Sequence, residues 1–359
     1  MFARIYSIAL ICGMCLPALA AQAPAKQAVA SDCSYLVAGH SYANTFAGLM
    51  NTQKYAGFTA GDQQQWGLLP DAGAGVTTFY TGGLVKNTES IMVGEFGVFP
   101  TVNLSGTYSL KWDNTKTPVL CAGSVHMTGT AEGMPMVDDF QIVVASDGDR
   151  MEMIHINAGL VVQTVAHPAE QRGCRSNILR GTYLYSTAGW ALAPLFGIDP
   201  STQAGSAQTL AGYISGAMTG AMRFSPDVVP SGEYDHVPPA GAGAVSAWDT
   251  LSVNGGVDDG RGNYVPIYRQ MSGWYKVNPT DCSGTLVLRD NIGSPEFLIS
   301  FYVGKDGNAI DAVNVNNFAD FGGPSIPIFL FPIPMQRTSA RDNSAAPTPN
   351  PGSIVNTWY

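Results

Sequence analysis

The chain has 359 residues, of which 45% are hydrophobic and only 13% charged, and its formal net charge is −9. An acidic, sparsely charged surface repels nucleic acid and anionic lipid, which sets both aside as partners. The 41 glycines and 23 prolines, set between short apolar runs, point to many strands joined by tight turns rather than to helices.

Residues 1–20 read as a secretory signal peptide. Arg4 supplies the positive start, residues 5–19 the apolar run, and Ala18-Leu19-Ala20 a small-residue cleavage site. The run is too short to span a bilayer, which takes about 20 apolar residues, and no later stretch qualifies as a membrane span. Its removal takes away Arg4, so the mature charge becomes −9 − 1 = −10. Cys12 and Cys15 leave with the signal, and neither follows the small residues of a lipid-attachment site. The expectation is an exported protein, periplasmic or secreted, with Cys33, Cys121, Cys174 and Cys282 in an oxidising compartment.

From Cys33 onward one pattern occurs twice. The first copy runs through Cys33, Tyr42, Gly106-Thr-Tyr108, Cys121-Ala-Gly and Asp147-Gly, and the second through Cys174, Tyr183, Gly273-Trp-Tyr275, Cys282-Ser-Gly and Asp306-Gly. The opening spacing is identical, since 42 − 33 and 183 − 174 both give 9. A fixed order of features met twice marks a duplicated structural unit. The copies are read as residues 33–170 and 174–337, with a polar boundary at 170–173. Four cysteines allow three pairings, and the repeat selects Cys33 with Cys121 and Cys174 with Cys282.

In chain order, strands are expected at 106–112, 140–145, 151–157 and 160–165 in the first copy. In the second they are expected at 181–186, 218–224, 246–253, 273–277, 284–288, 297–303 and 309–316. Asp147-Gly148 and Asp306-Gly307 fall between strand runs as hairpin signals, so the copies are antiparallel meanders. Residues 140–145 and 297–302 are apolar on both faces, which requires closure into a barrel or packing as a sandwich. The expected fold is all-β: two tandem antiparallel meander barrels of about eight strands, each with one disulfide and room for side chains or one small ligand. The second copy is longer, and its extra segments 190–210 and 228–245 are expected as loops at one barrel end. Pro324, Pro327, Pro332 and Pro334 make residues 321–335 an edge or lid rather than a central strand. Residues 338–359 are expected to be a disordered tail.

Gly181-Thr-Tyr, the run from Ser272-Gly-Trp-Tyr through Cys282-Ser-Gly-Thr285, and the Asp306-Gly hairpin resemble exported bacterial duplicated small β-barrel proteins of unknown role. More distantly they are similar to the calycin and allene-oxide-cyclase-like barrels. The resemblance covers the second copy well and the first loosely, where Tyr108 to Cys121 spans 121 − 108 = 13 against 282 − 275 = 7. It implies a fold and carries over no catalytic residue.

Outside the signal there is no Gly-x-Ser-x-Gly elbow, His-Glu-x-x-His, phosphate loop or Cys-x-x-Cys. Candidate chemistry therefore comes from polar positions that the duplication repeats. Aligning Gly148 with Gly307 places Glu152 on Asp311, His155 on Asn314 and Asn157 on Asn316. Glu152 shares a strand face with Ile154 and Ile156, which makes it a candidate acid or base; a solvated position at the strand start is the alternative. His155, beside Asn157, is a second catalytic candidate or a rim histidine. His126 and Asp138-Asp139 have the spacing to meet across a hairpin as a base and its orienting acid. Asp147, Asp149 and Glu152 fit no calcium loop, and neither a metal nor a cofactor is expected. Glu233, Asp235, His236 and the 258–261 run read as loop charge. Trp112, Trp274 and Tyr275, with Asn157 and Asn316, are candidate walls of a ligand site, and core packing explains the same aromatics, as it does Trp66, Trp190 and Trp248.

Three functions are compatible with these residues: binding a small hydrophobic ligand or an envelope partner, a cyclase or isomerase-type enzyme using a barrel cavity, and a structural or adhesive envelope protein. An open cavity with an ionisable group pointing into it would separate them.

Overall fold

The computed structural model describes residues 31–54, 67–115, 119–171, 173–196, 212–253, 257–258, 264–291, 296–317, 319 and 326–338. The signal, the tail beyond 338, Trp66 and residues 197–211 of the expected loop lie outside these.

The first copy closes into an eight-stranded antiparallel barrel. Its strands are β1 (Ser41–Asn51), β2 (Leu68–Tyr80), β3 (Leu84–Val93), β4 (Gly97–Asp113), β5 (Leu120–Ala131), β6 (Met134–Val144), β7 (Met151–His155) and β8 (Leu160–Pro168), with β8 returning to β1. The second copy contains β9 (Gly181–Leu192), β10 (Tyr213–Ser225), β11 (Gly243–Val253), a short β12 (Val257–Asp258) and β13 (Tyr264–Val265), then β14 (Ile267–Val277), β15 (Ser283–Asp290), β16 (Phe297–Val303) and β17 (Ala309–Asn314). It ends with β18 (Phe329–Leu330) and β19 (Pro332–Arg337). Strand β9 pairs with β10 on one side and with β18 and β19 on the other, closing a second eight-stranded barrel, while β12 and β13 pair only with each other.

The features that announce the repeat in sequence assemble into one plug at the same end of each barrel. Cys33–Cys121 and Cys174–Cys282 are disulfides with Cα–Cα distances of 6.0 and 5.4 Å. They tie a short 3-10 turn, Ser34–Leu36 or Ser176–Ile178, to the start of β5 or β15. Tyr42 donates to the Gly148 carbonyl at 2.8 Å, and Tyr183 donates to that of Gly307. Beneath the turns, Tyr42, Phe79 and Tyr108 stack edge to face with centroids 5.8 and 5.0 Å apart. Tyr183, Phe224 and Tyr275 repeat the arrangement at 5.2 and 4.9 Å. The glycine of Gly-x-Tyr is required by close strand approach: a Cβ on Gly106 or Gly273 would lie 1.8 Å from the carbonyl oxygen of His126 or Val287.

A third apolar core joins the barrels. Outward-facing Ala43, Ala72 and Ala74 of β1 and β2 pack with Tyr302, Val313, Tyr213 and Leu330 of the second barrel. Small side chains on one surface let the two sheets approach closely, and this explains the Ala- and Gly-rich β2.

Two expectations are corrected. The segment read as an edge or lid supplies β19, a wall strand of barrel 2 that pairs with β17 from Pro332 to Gln336 and with β9 at Met335, Gln336 and Arg337. Its prolines are tolerated because the β9 pairing skips Pro332 and Pro334, so no ladder bond is asked of them on that side. The expected loops are also shorter. Residues 190–192 complete β9 and lead into the 3-10 turn Ala193–Phe196, and residues 243–245 begin β11.

Candidate functional site

Strand alternation turns an unusual set of side chains into barrel 1. Asn44 comes from β1, Asp71 and Thr77 from β2, Asn87 and Glu89 from β3, Asp138 from β6, His155 from β7 and Thr164 from β8. They surround a cavity of about 30 Å³, room for one or two waters, with Phe46, Met50, Ile91, Met136 and Leu160 completing its lining.

The amide and hydroxyl donors here run in one direction. Asn44 donates to Thr77 at 3.2 Å, Thr77 to Asn87 at 3.1 Å, and Asn87 to the Glu89 carboxylate at 2.6 Å. Beyond that relay the groups are chiefly acceptors. Burial, reinforced by the nearby Asp138 charge, pushes the Asp71 carboxyl up to about 8. The same two causes raise Glu89 well above the usual carboxylate range, against the Asn87 hydrogen bond. Asp138 is pushed up to about 7 by burial and by its neighbour Asp139. Burial holds His155 down to about 4, with Asn157 and Asp139 opposing, so the ring is neutral at neutral pH.

His155 packs on the Phe140 ring at a centroid distance of 3.9 Å, and its Nδ1 lies 3.9 Å from Asp138 Oδ1, too far for a hydrogen bond. Three atoms lining this cavity have no hydrogen-bond partner within the protein: Asp71 Oδ1, His155 Nδ1 and Thr164 Oγ1. Asp71 and Thr164 are 4% and 2% exposed.

Barrel 2 encloses a cavity of the same size with the opposite character. Its one acid, Asp249, takes two bonds from Arg269, Nε to Oδ1 at 2.7 Å and Nη2 to Oδ2 at 2.5 Å, and a third from the Tyr185 hydroxyl at 2.9 Å. The guanidinium lies 4.9 Å above the Phe297 ring. None of the polar side chains lining this cavity is without a partner.

Register shows the two acids to be duplicates. Glu89 stands across from Gly75 and Val102, and Asp249 across from Gly220 and Arg269. A Cβ on either glycine would lie 2.6 Å from the Cβ of its acid, so glycine is what lets a carboxylate occupy that position.

Of the residues singled out from sequence, His155 and Asp138 reach the cavity of barrel 1 and Asn314 that of barrel 2. Glu152 lies on the outer wall of barrel 1, 47% exposed, paired with Arg150 at 2.7 Å. Its counterpart Asp311 is buried in the inter-barrel core, and burial pushes it up to about 7. Asn157 and Asn316 are matching clips that accept from the backbone N–H of Asp139 at 2.7 Å and of Leu298 at 2.8 Å. Trp112 packs against the barrel 1 core. Trp274 is buried with its indole N–H on the His236 carbonyl at 2.7 Å, and Tyr275 belongs to the plug. His126 and Asp139 do meet across β5 and β6, at 2.6 Å, on the exposed surface. His236 and its neighbours anchor a loop on the buried Glu296 carboxylate.

Sequence reasoning missed Asp71, Glu89, Asn44, Asn87, Thr77 and Thr164. The available signal was a lone acid inside a small or apolar run, as in Leu68-Leu-Pro-Asp-Ala-Gly-Ala and Glu89-Ser-Ile-Met-Val. Among the described residues no group of three or more His, Cys, Asp or Glu is arranged to hold a metal ion, and no helix is long and apolar enough to cross a membrane. No family model matches the chain, and neither a curated protein nor a solved structure is significantly similar to it.

Proposed function

We propose that this is an exported ligand-binding protein and that barrel 1 is its binding chamber. The observation that carries the reading is the convergence of Asp71 Oδ1, His155 Nδ1 and Thr164 Oγ1, buried and unpartnered, on one cavity. Each such atom costs on the order of 1–3 kcal/mol, and barrel 2 closes on the same scaffold with its cavity-lining polar groups paired. A cost retained at an enclosed polar site, with ionisations shifted, is the pattern of a site completed from outside. The cavity, about 30 Å³, suits a polar ligand of one or two heavy atoms, with Phe46, Met50, Ile91, Met136 and Leu160 as its apolar wall.

Two disulfides point to an oxidising, non-cytoplasmic environment for the folded chain. With the Arg4-led apolar run, they support a periplasmic or secreted location. Thermal unfolding of the oxidised protein against short-chain amines, alcohols, amides and carboxylic acids tests the proposal. At least one class should raise the midpoint with concentration, less so in Asp71→Asn. No shift from any class would refute it.

A cyclase or isomerase-type enzyme is the second reading, favoured by His155 facing Asp138 at 3.9 Å within the chamber. On that reading His155→Gln keeps ligand binding and abolishes turnover.

A further inference from the structure

We infer that the ligand of barrel 1 is a small cation of the size of methylammonium, which takes, among Glu89, Asp71 and Asp138, the place that the Arg269 charge fills in barrel 2. The inference rests on barrel 1 being a binding chamber and names the chemistry of its ligand.

The duplication supplies an internal control. At the position shared by Glu89 and Asp249, barrel 2 provides its own cation from the facing strand, held by two charge-assisted bonds and an aromatic face. Barrel 1 has Val102 on the facing strand, and no lysine or arginine lines its cavity. It also adds two acids that barrel 2 lacks. By register, Asp71 stands where barrel 2 has Gly216, and Asp138 where it has Phe297.

The unsatisfied groups have a definite polarity. The Thr77 hydroxyl and one N–H each of Asn44 and Asn87 are used in the relay that ends on Glu89. Left over are one Asp71 oxygen, His155 Nδ1 and the Thr164 hydroxyl, with Asp71 and Thr164 less than a tenth exposed; a cation seated among the three carboxyl groups favours their ionised form, which offers acceptors only. A ligand that brings N–H donors and positive charge completes this set. An anion meets three carboxyl groups, and a neutral alcohol supplies a single donor.

The oxidised full-length protein should be titrated at pH 7.5 with ammonium and methylammonium, and in parallel with methanol and formate. The cations should bind one to one at least tenfold more tightly than either control. Glu89→Gln should weaken them at least tenfold, and Val102→Arg, which gives barrel 1 the cation that barrel 2 carries, should abolish binding. If Val102→Arg fails to fold, Glu89→Gln and Asp71→Asn decide the matter, because each removes a carboxyl group that has no cation of its own. Equal binding of methanol or formate, unaffected by Glu89→Gln, overturns the cation assignment and leaves the chamber standing. No binding by any of the four compounds overturns both.

Discussion

Val102 and Arg269 hold the same position in the two barrels, each directly across the ladder from the buried acid of the neighbouring strand, Glu89 or Asp249. That one difference separates an interior that neutralises itself from one that does not.

The two acids should therefore respond oppositely to mutation. Arg269→Met leaves Asp249 buried and uncompensated, which costs about 3–5 kcal/mol. Glu89→Gln keeps a partner for Asn87 and replaces an acid that holds its proton in the folded chain, so its cost should stay below about 1 kcal/mol. Urea unfolding with both disulfides intact makes the comparison; equal costs would contradict the unpaired character of Glu89.

Stability should fall as pH rises from about 4 to about 8. Asp71, Asp138, Asp311 and Glu89 all keep their protons to higher pH in the folded chain than in the unfolded one, where an Asp titrates near 3.8. The folded state thus binds more protons across that window, and the stability present below it is lost as pH climbs through the folded values. His155 opposes this only between about 4 and 6.5, where the unfolded imidazole takes a proton that the folded one refuses. His167, also lowered by burial, acts in the same direction as His155. Asp71→Asn should reduce the downward slope between pH 5 and 8 by on the order of 1 kcal/mol per unit. Denaturant midpoints at four pH values measure it.

The plug predicts a graded pair of effects. Tyr42→Phe and Tyr183→Phe each orphan a buried hairpin carbonyl, which should cost about 1–3 kcal/mol with the stacked rings retained. The Tyr183 hydroxyl also accepts from Arg337 Nε at 3.0 Å and Nη2 at 2.7 Å, so chemical denaturation should show the larger loss there; a larger loss at Tyr42 would contradict this reading.

The disulfides close segments of 88 and 108 residues, for which the chain-entropy model gives about 4 kcal/mol each as an upper figure. Non-reducing peptide mapping should find Cys33 with Cys121 and Cys174 with Cys282. A Cys121–Cys282 peptide would contradict the two-plug architecture.

The repeat was legible because its signature residues all serve one end of the barrel, where disulfide, tyrosine and glycine geometry leave little choice of side chain. The opposite half of barrel 1 was not. Strands β1 and β2 contain Ala43, Ala72, Ala74 and Gly73 instead of β-branched runs, since their outer faces pack against barrel 2 and their inner faces carry Asn44 and Asp71. Neither periodicity nor propensity marks such a strand. Glu152 was conspicuous in sequence because its face is apolar, yet that face is the outer wall, with Ile154 and Ile156 more than half exposed. Inward and outward are indistinguishable by alternation alone. Glu89 looked like ordinary strand polarity, and only its register against Val102 gives it meaning.

The most direct test of barrel 1 as the binding barrel uses methionine methyl groups as reporters. Met50, Met127, Met136 and Met153 line its cavity, and Met218, Met222 and Met271 line that of barrel 2. In a methyl-labelled protein titrated with methylammonium and, separately, methanol, saturable shifts should appear at the first group of methyls and not at the second. Shifts confined to Met218, Met222 and Met271, or saturable shifts at none of the seven with either compound, would contradict the account.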